Sequence, residues 1–135
     1  MNISIDANLS PALAKALAEL SKPEGHAVKH KFDLFARNTS DVDWIRGLSK
    51  QGRWIIITQD RFKKNALERQ ALRDAGFTVF ILKNSWKDHT FWSKAHQLVR
   101  WWPVILQQSA LVTGGALFIV PYKFTGNGKF EQEKL

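Results

Sequence analysis

The chain has 135 residues, no cysteine, 44% hydrophobic residues and a formal net charge of +8, with a pI near 10.0. That length suits one domain with a core of its own, and the absence of thiols excludes disulfides and any thiolate metal site. The positive field attracts polyanions, nucleic acid first among them. The chain start runs into Asp6 without a basic segment ahead of an apolar one, and the apolar residues 104–120 are interrupted by Gln107-Gln108-Ser109 and Gly114-Gly115. Neither a signal peptide nor a membrane span is expected, and a cytoplasmic location is.

Residues 2–5 predict a short strand that ends at Asp6. Ser10 and Pro11 predict a helix start, with Ser as N-cap and Pro where a missing N–H costs nothing. Leu9, Leu13, Leu17 and Leu20 fall on one face of that helix, and Pro23 and Gly25 end it. Residues 26–30 predict a second strand and residues 33–40 a loop. Ser40 is placed to cap the next helix with Asp43 as its capping-box partner. Val42, Ile45 and Leu48 form the apolar stripe of that helix, and Gly52 closes it. Residues 54–58, Trp-Ile-Ile-Ile-Thr, carry the strongest strand signal and suit a strand buried on both faces of a parallel sheet. Asn65 to Glu68 opens another helix, Gly76 stops it, and residues 77–82 form a further buried strand.

This alternation predicts an α/β fold with a mostly parallel central sheet of four or five strands, helices on both faces and right-handed crossovers. In the last third, four of the six Trp residues lie between Trp86 and Trp102. A long helix from about His89 is expected, with Trp92, Ala95, Val99 and Trp102 along one side and a kink or split at Pro103. Trp101 and Trp102 point about 100° apart on a helix, so only one of them is expected deep on the seam. Leu117 to Val120 form a closing strand. Residues 1–122 are expected to be a single domain, and residues 123–135 a hairpin or a flexible tail.

Asp6 and Asp60 each follow an apolar strand, and Asp41 opens a helix. In open α/β sheets, ligands bind outside the carboxyl ends of the strands. Carboxylates converging there repel one another unless a cation joins them. Mg²⁺ is the natural candidate and Mn²⁺ the alternative, since both take oxygen ligands. Such an ion activates water and neutralises charge on a phosphodiester. Asp6, Asp41 and Asp60 are the expected ligands, with Glu68 completing the site. Asp43 fits a capping acid better than a ligand. The four His residues show no zinc-binding spacing.

These residues resemble a known family. Ile5-Asp6-Ala7-Asn8-Leu9-Ser10-Pro11, Ser40-Asp41-Val42-Asp43-Trp44-Ile45 and Ile57-Thr58-Gln59-Asp60-Arg61 are similar to the PIN-like branch of VapC-type toxins. The likeness continues through Lys64-Asn65-Ala66-Leu67-Glu68-Arg69, Leu72-Arg73-Asp74-Ala75-Gly76, Phe91-Trp92 and Leu98-Val99-Arg100-Trp101-Trp102-Pro103, to about Pro121. It implies a PIN-type α/β/α sandwich and an Mg²⁺- or Mn²⁺-dependent endoribonuclease. It also implies toxicity through RNA cleavage and inhibition by a cognate antitoxin, and makes a homodimer a possible assembly. Asp6, Asp41 and Asp60 match the family's acids by position. Glu68 is the nearest match for a fourth, with Asp74 at the far end of the same predicted helix.

Arg61, Lys63 and Lys64 follow Asp60, and Arg69 follows Glu68. They are expected to meet the RNA backbone in a salt-sensitive, sequence-independent way. Asn8 is expected to hydrogen-bond substrate or a metal-bound water. The alternative function is a catalytically weak PIN-like module that binds RNA or protein without cutting. A phosphoacceptor domain of receiver type fits poorly, because Asp6 is followed by Ala7 and Asn8 where an acid pair is needed.

Overall fold

Short β-branched runs separated by capped amphipathic helices leave the chain one economical arrangement, a sheet with helices over both faces. The computed structural model describes residues 1–60 and 65–135. The strands are β1 (Asn2–Ile5), β2 (Ala27–His30), β3 (Ile55–Thr58), β4 (Thr78–Leu82), β5 (Ala116–Val120) and β6 (Glu131–Glu133). They form one sheet in the order β2-β1-β3-β4-β5-β6. The first five run parallel, and β6 pairs antiparallel with β5. The described sheet therefore has six strands where four or five were expected, and the fold class is as read from the sequence.

The helices are α1 (Pro11–Ser21), α2 (Lys31–Leu34), α3 (Asp41–Ser49), α4 (Ala66–Ala75) and α5 (Phe91–Leu111). Side-chain caps start four of them where the sequence placed them or nearby: Ser10, Ser40, Asn65 and, for α5, Thr90. Gly76 ends α4 in the left-handed region, at φ 68°, and its N–H bonds back to the carbonyls of Leu72 and Arg73. The short α2 occupies the start of what was expected to be a loop.

Two cores sandwich the sheet. Ile3, Ile5, Ile57, Phe80 and Phe118 face α1 and α5, while Ile56, Val79, Ile81, Leu117 and Ile119 face α3 and α4. This assignment fixes the hand of each crossover. From β1 to β2 the chain moves one way across the sheet over the α1 face. From β2 to β3 and from β3 to β4 it moves the other way over the opposite face, which is the same hand. From β4 to β5 it keeps that second direction but passes over the α1 face, so the α5 connection has the opposite hand. The α5 connection lies beyond the strands for which right-handed crossovers were expected, and its hand is opposite to that of the first three. Coverage supplies the physical reason: α1 alone is too short to shield its face of the parallel strands, and α5 completes the layer. Residues 83–90 make the turn possible, anchored by buried Trp86, whose indole N–H donates to the Val120 carbonyl at 2.9 Å.

α5 also corrects the sequence reading of its buried side. Trp92 of α5 is 79% exposed, and Leu20 of α1 is 59% exposed. The inner residues are Leu98, Trp101, Trp102 and Ile105. Both Trp101 and Trp102 are buried, because α5 lies in a corner with a neighbour on each side. Trp102 donates its indole N–H to Ser21 Oγ of α1 at 2.7 Å, while Trp101 packs on Phe124 and Phe130. Pro103 neither splits nor ends the helix, which runs unbroken to Leu111. It sits on the exposed side, where water can satisfy the carbonyl that a proline leaves unpaired. Among the described residues, no helix is long and apolar enough to cross a membrane.

Candidate active site at the carboxyl edge of the sheet

β1 and β3 are adjacent, yet the chain leaves β1 towards β2 and returns to β3. This is a topological switch point, where the loops diverge and open a crevice at the strands' carboxyl ends. Asp6 lies there, still in the ladder, its N–H donating to the Ile57 carbonyl at 2.9 Å. The residue is only 5% exposed. Oδ1 accepts from the Ala7 N–H at 2.6 Å and Oδ2 from Thr58 Oγ at 2.6 Å. The Thr58 hydroxyl in turn accepts from the Asp60 N–H at 2.9 Å and from Asn8 Nδ2 at 3.2 Å. One donor and two lone pairs are thus all in use. Asn8 Oδ1 accepts from the Gln59 N–H at 3.2 Å. These bonds tie the loop after β1 to the loop after β3.

Asp41, Asp60 and Glu68 form a tighter group. Each presents a carboxylate oxygen such that all three lie within 4.8 Å of one another. Ser40 positions Asp41 by capping α3 through the Asp43 N–H at 3.2 Å. Asn65 positions Glu68: its Oδ1 caps the Leu67 and Glu68 N–H groups, and its Nδ2 donates to Glu68 Oε1 at 2.8 Å. Lys31 enters from the start of α2. It is 6% exposed, its ammonium donates to Asp41 Oδ1 at 3.0 Å, and it lies 4.9 Å from the centre of the Trp44 ring.

The electrostatics follow from this crowding. Burial raises the Asp6 carboxyl above the ordinary carboxylate value; the bonds from Thr58 and Ala7 and the charge of Lys31 oppose the rise, and Asp41 adds to it. Glu68 is also raised, first by burial and then by the charges of Asp41 and Asp60, with the Asn65 bond opposing. A hydrogen bond to Asp41 also favours its protonated form.

The fold therefore gathers Asp41, Asp60 and Glu68 from three separate elements and sets Asp6 beside them rather than in the group. Asn8 is exposed on its outer side, with its amide bonded inward to Thr58 and to the Gln59 N–H. Arg69 donates through Nη1 to the Lys134 carbonyl at 3.2 Å. Arg61, Lys63 and Lys64 lie outside the described residues. Asp43 is exposed at the α3 cap, and Asp74 accepts from Gln70 at the far end of α4. Buried His30 has a structural task. Its Nδ1 accepts from the Phe32 N–H and its Nε2 bonds the Leu9 carbonyl at 2.8 Å, pinning α2 to the loop after β1.

Sequence reasoning missed Lys31 and Thr58. Thr58 was visible as the polar end of a strand run one residue from Asp60's loop. Lys31 follows the expected second strand directly, and its signal was that β2 also ends at the crevice.

An all-oxygen group of three mutually repelling carboxylates fits a hard divalent cation, which would be held by Asp41, Asp60 and Glu68. A mostly parallel sheet with acids gathered near its switch point defines an α/β protein with a candidate cation site at one edge. The sequence comparison agrees: the model of the PIN-like domain family matches residues 1–84, more than half of the chain, and the chain belongs to that family. The match contains Asp6, Lys31, Asp41, Thr58, Asp60 and Glu68. No curated protein and no solved structure matches the chain.

Proposed function

We propose that this protein is a metal-dependent endoribonuclease that acts as the toxin of a toxin–antitoxin pair. The observation that carries the reading is the meeting of Asp41, Asp60 and Glu68 oxygens within 4.8 Å at the crevice of a PIN-like fold. Mg²⁺ is the cation of choice, with Mn²⁺ as the alternative, because both accept a few carboxylates and keep coordinated water. When bound, such an ion supplies an activated water and charge neutralisation for an in-line displacement at phosphorus.

The chain's own residues do the rest. Asp41 carries a ligand oxygen from the first turn of α3, Asp60 one from the loop after β3, and Glu68 a third from the first turn of α4. Thr58 and Asn8 hold the two loops at fixed separation. Asp6 adds buried negative charge behind the group, and Lys31 fixes one oxygen of Asp41. The +8 chain attracts the RNA backbone by charge alone, and Arg61, Lys63 and Lys64 next to Asp60 are the proposed phosphate contacts. A cognate antitoxin would act by closing this crevice.

The test is cleavage of a generic single-stranded RNA by the purified chain with Mg²⁺ or Mn²⁺. Asp60→Asn and Glu68→Gln are expected to lower the rate by about 10²-fold, in line with the loss of a metal ligand or its close support. Equal cleavage by the variants would remove the proposal. Binding of RNA without any cleavage would favour the weak binding module instead. The toxin role is tested separately, by whether expression of wild type but not of Asp60→Asn halts cell growth.

A further inference from the structure

Lys31 is an unusual neighbour for a cation site. Lysine is almost never buried unless paired, and here the whole side chain is enclosed, with its ammonium on Asp41 Oδ1 at 3.0 Å and over the Trp44 ring. Its placement is enforced. The preceding His30 is bonded on both ring nitrogens, and its backbone N–H donates to Asp33 Oδ2 at 2.9 Å. The backbone of Lys31 is therefore locked between β2 and α2, and its side chain is aimed at the acids.

We infer that Lys31 is a resident cation of the site, a positioning residue that occupies the place of a second metal ion, so that the carboxylate group binds one divalent ion and not two. The inference rests on the nuclease reading above and fixes the stoichiometry of that same site. Two ions about 3.5–4 Å apart need a bridging carboxylate that gives one oxygen to each. Asp41 is near enough for its charge to act on both Asp6 and Glu68, it shares the group with Asp60, and it would be that bridge. One of its oxygens already holds an ammonium, and both Asp6 oxygens accept short bonds from Ala7 and Thr58. Asp41, Asp60 and Glu68 still present three carboxylate oxygens within 4.8 Å of one another, the group that would hold one ion. Charge points the same way: Lys31 offsets one of the four carboxylates before any metal arrives, and a second divalent ion beside the ammonium would meet like charge at close range.

The experiment counts Mn²⁺ bound per chain, by the electron paramagnetic resonance signal of free Mn²⁺ and by calorimetry, for wild type, Lys31→Gln and Lys31→Arg. Wild type is expected to take one ion. Lys31→Gln is expected to admit a second ion, with the first bound about tenfold more tightly, as loss of a nearby like charge requires. Lys31→Arg, which keeps the charge, is expected to stay at one. Two ions on wild type, or one ion with unchanged or weaker affinity on Lys31→Gln, would overturn the inference. If Lys31→Gln does not fold, the counts for wild type and Lys31→Arg decide. Two ions on a wild-type chain that cleaves RNA would end the Lys31 inference alone, whereas no Mn²⁺ on wild type would end it together with the nuclease reading.

Discussion

The Thr58 hydroxyl is a small group with an outsized share of the site. It donates to the buried Asp6 carboxylate and accepts from the Asp60 N–H and the Asn8 amide. Thr58→Val keeps the shape and removes all three bonds, leaving a buried carboxylate short of a donor. The expected cost is about 2–4 kcal/mol, since bonds to charged groups are worth more than neutral ones and unsatisfied buried groups are expensive. Urea unfolding measures it; a loss below about 1 kcal/mol would mean that water or another donor replaces the hydroxyl.

Glu68 sets a second test at this scale, through pH. Its carboxyl is raised above the ordinary 4.5, and that of Asp6 above 3.8. Below those values both groups are protonated in the folded and the unfolded chain. As pH climbs, the unfolded chain releases its protons first, so the folded state holds more, and stability falls as pH rises through the raised folded values. Without added metal, Glu68→Gln escapes its part of that loss. Its melting temperature should exceed that of wild type at neutral pH, and the gap should close below about pH 4.5. Saturating Mg²⁺ should reverse the order, because only the full carboxylate group binds the ion well. A variant that melts lower than wild type at every pH without metal would contradict the described repulsion.

At the scale of elements, the sequence showed clearly what local chemistry decides. The β-branched run before Asp60, the serine caps before α1 and α3, and the glycine after α4 each name their structure without help from distant residues. α5 shows where that stops. A helical period offers several apolar stripes in a segment so rich in tryptophan, and choosing between them requires knowing what packs on each side. The corner formed by α1 and residues 124–130 buries Trp101 and Trp102 together and leaves Trp92 outside. Trp102→Ala should therefore cost about 3–5 kcal/mol, as large-to-small changes in a core do. Trp92→Ala should stay within about 0.5 kcal/mol, the range of ordinary surface changes. Comparable losses from both, measured by denaturant unfolding, would place α5 differently. The opposite hand of the α5 crossover was equally hidden, because it depends on which sheet face the helix covers.

For the whole molecule, site and charge act together. Asp41, Asp60 and Glu68 were legible in the sequence because acids at strand ends and helix starts share one edge of a parallel sheet. Two things were not legible. Asp6 turns its oxygens to Thr58 and Ala7, and Lys31 arrives from a strand whose end joins the crevice only once β2 has paired with β1. A chain of net charge +8 should also bind single-stranded RNA in a salt-dependent manner, with log K falling by about 0.7 per phosphate contact for each unit of log salt. Filter binding across salt concentrations, with an Asp60→Asn chain to prevent cleavage, reads that slope. A flat response would show that the basic field does not carry the binding.

The most direct measurement is RNA cleavage by wild type in Mg²⁺, in excess EDTA, and after Mg²⁺ is restored, alongside Asp60→Asn in Mg²⁺. If Asp41, Asp60 and Glu68 hold a working cation, cleavage occurs in Mg²⁺, stops with EDTA, returns with the metal, and is lost in the variant. Cleavage that persists in EDTA, or that Asp60→Asn performs as fast as wild type, would contradict a carboxylate-held metal as the source of the activity.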